Sequence, residues 1–124
     1  MVGGQSRGRH VLLDYRNYSS TEENDGRWML HLIRECVRES GIREVHSHVE
    51  IFDGGLSPPG FAAVVLIDES HVTAHCYSEI GLLAIDVFTC GDHDPDGVAE
   101  LIHERLISED ASIVLDKRQR VYRF

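Results

Sequence analysis

Lysine is nearly missing from this sequence. Lys117 is the sole lysine among 12 basic residues. It stands away from the polar motifs, so nothing near them offers the amine that a pyridoxal phosphate site needs. Positive charge is scarce altogether, and 21 acidic residues leave a formal net charge of -9. That sign disfavours a nucleic-acid backbone as partner and is compatible with a cationic small molecule. Cysteine is limited to Cys36, Cys76 and Cys90. An odd number without repeated spacing argues for free thiols in a reducing compartment, the cytoplasm, over a disulfide framework. Long apolar runs are absent too. Nothing approaches the ~20 residues of a membrane-spanning helix, and the opening MVGGQSRGRH lacks the apolar stretch of a signal peptide. Glycine and proline, at 11 and 3 residues, are too few to signal disorder.

What is present fits one domain over residues 1–124. At 42% hydrophobic residues the chain can fill a single core. Residues 1–8 are Gly-rich and polar and are expected to be disordered. RHVLLDY reads as a first strand and NYSSTEEND as a capping loop. From Asp25 to Ser40 the residues Trp28, Met29, Leu32, Ile33, Cys36 and Val37 recur at helical spacing, and Gly41 supplies the stop. IREVHSHVEIF is strand-like and DGGLSPPG is a loop. FAAVVLIDE reads as a buried strand, HVTAHCY as its return and GLLAIDVFT as a further strand. Asp94-Pro95 caps and opens a second helix, with Val98, Leu101, Ile102, Arg105 and Leu106 as its stripe. ASIVLDKRQRVYRF looks like a terminal strand, a basic turn and a short return. This order predicts an α+β two-layer sandwich, a mainly antiparallel sheet with both helices on one face. The other face is then open to a site or a second copy.

The chemistry concentrates around VVLIDESHVTAH. Ser70 has a plain reading as a turn serine, and no G-x-S-x-G elbow surrounds it. Its sharper reading uses the preceding amide. Attack of the hydroxyl on the Glu69 carbonyl gives an ester, and loss of the Ser70 α-proton then cuts the chain. The dehydroalanine left behind hydrolyses to an N-terminal pyruvoyl group. Those steps need a strained turn and a nearby acid/base, and His75 is a candidate if the chain folds back. His71 and His75, four apart, share a strand face if the strand is regular. His46 and His48 share one as well, but two ligands fall short of a structural zinc site. Cys90 is either a small hydrophobe at a strand end or an acid/base thiol beside a helix N-terminus. Cys36 and Cys76 fit the core. DHDPDG imitates a calcium loop, but His103 occupies the position that needs a bidentate glutamate.

Taken together, ESHVTAH, CYSEIG and AIDVFTCGDHDP resemble the prokaryotic-type S-adenosylmethionine decarboxylases, over about Gly60 to Leu106. The resemblance implies a proenzyme that cuts itself between Glu69 and Ser70. Residues 1–69 would become a β chain, and residues 70–124 an α chain headed by a covalent pyruvoyl cofactor. It implies that His75 takes the Ser70 α-proton and that the pyruvoyl carbonyl forms a Schiff base with substrate and acts as electron sink. Cys90 would then return a proton to the carbanion. Glu79 would hold ribose hydroxyls, and Glu69 would end as the new carboxylate. It further implies a homodimer of processed αβ protomers with sites shared across the interface. The product would be the aminopropyl donor for spermidine. No metal enters this chemistry.

The chain departs from the family pattern in three places. Leu56 sits where an adenine-stacking aromatic is expected, with Phe52 or Phe61 as substitutes. Ala62 sits where a processing serine is expected. Cys76-Tyr77-Ser78-Glu79 keeps only an aromatic, Tyr77, and the acid of the usual Thr-Trp-Pro-Glu. Two rival readings therefore remain. One is a pyruvoyl decarboxylase of arginine or ornithine. The other is a non-cleaving relative that pairs with another subunit.

Overall fold

Alternating burial along the strands fixes which side of the sheet is packed. In the computed structural model, which describes residues 7–124, Val11, Leu13 and Tyr15 of β1 (Gly8–Arg16) are buried while their neighbours are less so. The same period of two runs through β3 (Gly60–Ile67), β4 (Ser70–Tyr77) and β5 (Leu82–Cys90). With β2 (Glu44–Phe52) and β6 (Val114–Arg123) they form a six-stranded sheet in the order β2-β3-β4-β5-β1-β6, with every neighbouring pair antiparallel.

Helices α1 (Asp25–Glu39) and α2 (Pro95–Glu109) both pack on the Leu13 side, α1 over β2 and β3 and α2 over β1 and β5. Met29, Ile33, Val37, Val98 and Ile102 are fully buried against the sheet. Each such aliphatic side chain contributes about 1.5–3 kcal/mol of burial. The helix ends follow the local sequence. Asn24 accepts from the Arg27 amide, and Gly41 leaves α1 at φ 74°. Asp94 accepts from the Asp96 amide ahead of Pro95. The result is the expected α+β two-layer sandwich.

Three expectations need correction. β6 is one continuous strand with no basic turn. It lies along β1, with a register shift at Asp14/Tyr15. Its Arg118 and Arg120 alternate toward α2, where they pair with Asp96 and Glu100. That pairing lets a strand edge carry so many charges. Gly8, placed in the disordered stretch, is the first residue of β1, while residues 1–6 lie outside the described residues. Phe61, proposed as a substitute stacking ring, is 1% exposed and belongs to the helix-side core.

The far face carries His10 and Leu12 of β1, Val64 and Leu66 of β3, His71, Thr73, His75 and Tyr77 of β4, and Ala84, Asp86 and Phe88 of β5. No described helix covers it. Leu66, Leu82 and Tyr77 are among the exposed large hydrophobics there.

Candidate active site

Ile67 pairs with Ser70, so Asp68 and Glu69 alone make the β3–β4 turn. Glu69 takes φ 63°. Turns that suit the twist of a two-residue hairpin carry positive φ at their first central residue. Here that residue, Asp68, is not among the positive-φ positions. A glutamate in the left-handed region costs about 1–2 kcal/mol. The turn is held on one flank: the Arg43 guanidinium grips the Asp68 carboxylate at 3.0 and 3.1 Å, and the Asp68 amide donates to the Arg43 carbonyl at 3.1 Å. That guanidinium holds the Asp68 carboxyl below its ordinary range.

Ser70 is on the free flank. Its Oγ is the one buried side-chain polar atom without a hydrogen-bond partner among the described residues. An unpaired buried hydroxyl costs about 1–3 kcal/mol. Strain at Glu69 and an unsatisfied hydroxyl at Ser70 thus flank one peptide bond.

Continuing the β4–β5 register from His71↔Phe88 sets Ser70 opposite Thr89, one residue from Cys90. Cys90 ends β5, half-buried, and Gly91 turns the chain at φ 70° toward α2. Thr89 is fully buried and donates to the His93 carbonyl at 2.9 Å. Glu69, Ser70 and Cys90 therefore share one end of the sheet.

His75 does not join them within the chain. β4 runs straight, so His75 lies five positions on, about 17 Å at ~3.4 Å per residue. The odd separation also puts it on the open face, whereas Ser70 has the parity of buried Val72 and Ala74. His71 and His75 do share a face, as expected. At its own end His75 has Ala62 and Ala84 as cross-strand neighbours. It lines two adjoining grooves. One includes Tyr77, Leu82 and Ala84, and the other includes Phe52, Ser57, Pro58 and Tyr77. Of the expected substrate contacts, Phe52 and Tyr77 are therefore beside His75. Glu79 is exposed on the turn Ser78–Ile80, tied to the loop before β3 by the Ser78 amide donating to the Pro59 carbonyl at 3.0 Å. Leu56 projects into solvent at 108% exposure and lines neither groove. The gap between the Ser70 and His75 ends holds a polar group, His10, Asp86 and His71, of which the sequence singles out only His71.

Most of the chain has known counterparts. A family model described as S-adenosylmethionine decarboxylase matches residues 9–119. A Clostridium tetani protein named S-adenosylmethionine decarboxylase proenzyme is 33% identical over 114 residues, covering 90% of this chain and 86% of its own length. A Bacillus cereus protein named S-adenosylmethionine decarboxylase proenzyme 1 is 37% identical over 102 residues, or 80% of this chain and 74% of the relative. The crystal structure of an adenosylmethionine decarboxylase from Aquifex aeolicus VF5 superposes with a TM-score of 0.69 at 27% identity, covering 96% of this chain and 92% of that one. The chain belongs to the S-adenosylmethionine decarboxylase family.

Proposed function

We propose that this chain is a self-processing decarboxylase of S-adenosylmethionine whose cofactor is a pyruvoyl group made from Ser70. The observation that carries the reading is the Glu69–Ser70 bond, with a left-handed glutamate on one side and an unpaired buried hydroxyl on the other. Ser70 Oγ attacks the Glu69 carbonyl carbon, and the amide nitrogen leaves with a proton. The amide becomes an ester and the turn strain is released. Removal of the Ser70 α-proton expels the Glu69 carboxylate. The chain ends as residues 1–69 and 70–124, and hydrolysis of the dehydroalanine releases ammonia.

Once formed, the ketoacyl carbonyl supplies the electrophile and electron sink that ordinary side chains lack. The chain's own residues bind, orient and move protons. His75 is the base for the α-proton. Cys90, at the same sheet end as residue 70, returns a proton to the substrate carbon. Phe52 and Tyr77 offer aromatic faces to adenine and to the sulfonium charge, and Glu79 accepts from the ribose hydroxyls, whereas Leu56, exposed and outside both grooves, takes no part. The formal net charge of -9 suits a cationic substrate.

The 17 Å gap, about five residues of strand, supports a homodimer. Two copies stacked open face to open face, with the two-fold axis between the sheets and across the strands, reverse strand direction. The sheet end that carries Ser70 and Cys90 in one copy then lies over the end that carries His75 and Tyr77 in the other. The exposed Leu66, Leu82 and Tyr77 give that face the apolar content an interface needs. In the cytoplasm the product would serve as aminopropyl donor for spermidine.

Intact-mass analysis of the purified protein tests the reading. Two fragments are expected, with a hydrazine-reactive carbonyl on the C-terminal one and carbon dioxide released from S-adenosylmethionine but not from arginine or ornithine. A single full-length chain with no trappable carbonyl after prolonged incubation overturns it.

A further inference from the structure

One carboxylate on the open face serves two imidazoles. Asp86 Oδ1 lies 2.9 Å from His10 Nδ1, and Oδ2 lies 3.1 Å from His71 Nε2. Phe88 packs against both rings: His10 stacks on it at 4.1 Å between centroids and His71 tilts against it at 5.3 Å. Three neighbouring strands, β1, β5 and β4, are thereby joined by one polar group beside Ser70.

The protons follow from the partners. Arg123 Nη1 is 3.4 Å from His10 Nε2, and a guanidinium only donates. His10 Nε2 therefore carries the lone pair, and its Nδ1–H donates to Asp86. The second carboxylate oxygen takes the Nε2 hydrogen of His71. Both ring orientations are set by Asp86.

The cluster matters because of what cleavage does. Before it, residue 70 is held by the Asp68-Glu69 turn. Afterwards residue 70 is a chain terminus, and termini fray unless tied down. His71 is the first side chain able to tie it. We propose that Asp86, acting through His71, is a positioning residue that aims residue 70 for self-cleavage and keeps the new terminus in place afterwards, with His10 bracing the carboxylate from β1. This rests on the self-processing reading above. The anchor is a charge-assisted hydrogen bond, roughly twice as strong as a neutral one.

The test follows cleavage on denaturing gels after refolding from denaturant. His71→Ala and Asp86→Ala should each slow cleavage by about tenfold or more, the scale expected when a reacting group is misaimed. The double variant should be no slower than either single, because both break one contact. His71→Gln places an amide donor near the Nε2 position without a titrating ring, and should recover at least half of the wild-type rate. If wild type cleaves but His71→Gln is as slow as His71→Ala, or the two alanine effects multiply, the inference is overturned. Should the alanine variants fail to fold, nitrogen-15 spectra of the wild-type imidazoles decide: His71 protonated at Nε2 and His10 at Nδ1 support it, and the opposite tautomer at either overturns it. A wild type that never cleaves refutes the proposed function instead, which is a separate outcome.

Discussion

Ala62 and His75 face each other across the β3–β4 ladder, and Ala84 flanks His75 on the other side. The imidazole therefore stands exposed between two methyl groups, with no side-chain hydrogen-bond partner among the described residues. Ala62→Ser would put a hydroxyl next to the ring at the position where the family pattern expects one. Cleavage should accelerate by about tenfold, equivalent to about 1.4 kcal/mol or one ordinary hydrogen bond at the barrier. A gel time course of the two proteins measures this. An unchanged rate would remove Ala62 as a limit on processing.

Ser70→Ala separates function from stability. The hydroxyl is buried without a partner, so its loss removes a desolvation penalty of about 1–3 kcal/mol. The variant should remain a single chain and unfold at equal or higher urea concentration than uncleaved wild type. A clear drop in midpoint would mean that the hydroxyl has a partner and is not poised for attack.

The three thiols should react in two classes. Burial pushes the Cys36 and Cys76 thiols up to about 11, and both are almost inaccessible. Cys90 is half-buried at the end of β5. An aromatic disulfide reagent at pH 8 should label one thiol per chain quickly and the other two only on unfolding. Mass mapping must find the fast label on Cys90. A fast label on Cys36 would contradict the packing of α1.

Asp86 makes stability depend on acidity. Burial disfavours its charge, but the hydrogen bonds from His71 and His10 outweigh that and hold the carboxyl below its ordinary 3.8. A depressed folded value means the carboxylate form is favoured in the fold. Its contribution is present above the unfolded pKa of ~3.9 and is lost as pH falls through the lower folded value. The stability advantage of wild type over Asp86→Asn should therefore shrink as pH falls from 5 toward 2. Urea midpoints for both proteins measure it, and an advantage that survives intact at pH 2 would show that the carboxylate charge is not what matters.

Much of this was readable locally. Period-two burial in VLLDY and FAAVVLI, and the cap Asp94-Pro95, each depend on a few neighbouring residues. The basic run of β6 looks like a turn until Asp96 and Glu100 of α2 are known to lie beneath it. The His10–Asp86–His71 group was missed for a similar reason. β1 and β5 adjoin in the sheet but are far apart in sequence, and no local pattern reports that pairing. The only hint was a lone acid at an alternate position of the apolar AIDVF. The division between Ser70 and His75 was legible in principle, since an odd separation in a regular strand means opposite faces. What the sequence could not supply was that β4 stays regular.

That division makes a sharp prediction about two copies. In a shared site, Ser70 of one chain uses His75 of its partner. Ser70→Ala and His75→Ala chains should each fail to process at normal rate when alone. Co-expressed with distinguishable tags, they form mixed dimers in which one site pairs an intact Ser70 with an intact His75 and the other has lost both. The intact Ser70 sits on the His75→Ala chain, so only that chain should be cut, and at most about half of its copies will be in mixed dimers if assembly is random. Intact-mass analysis identifies which tag is on the fragments. If neither chain is cut, His75 acts within its own chain despite the intervening strand, and the face-to-face arrangement is wrong.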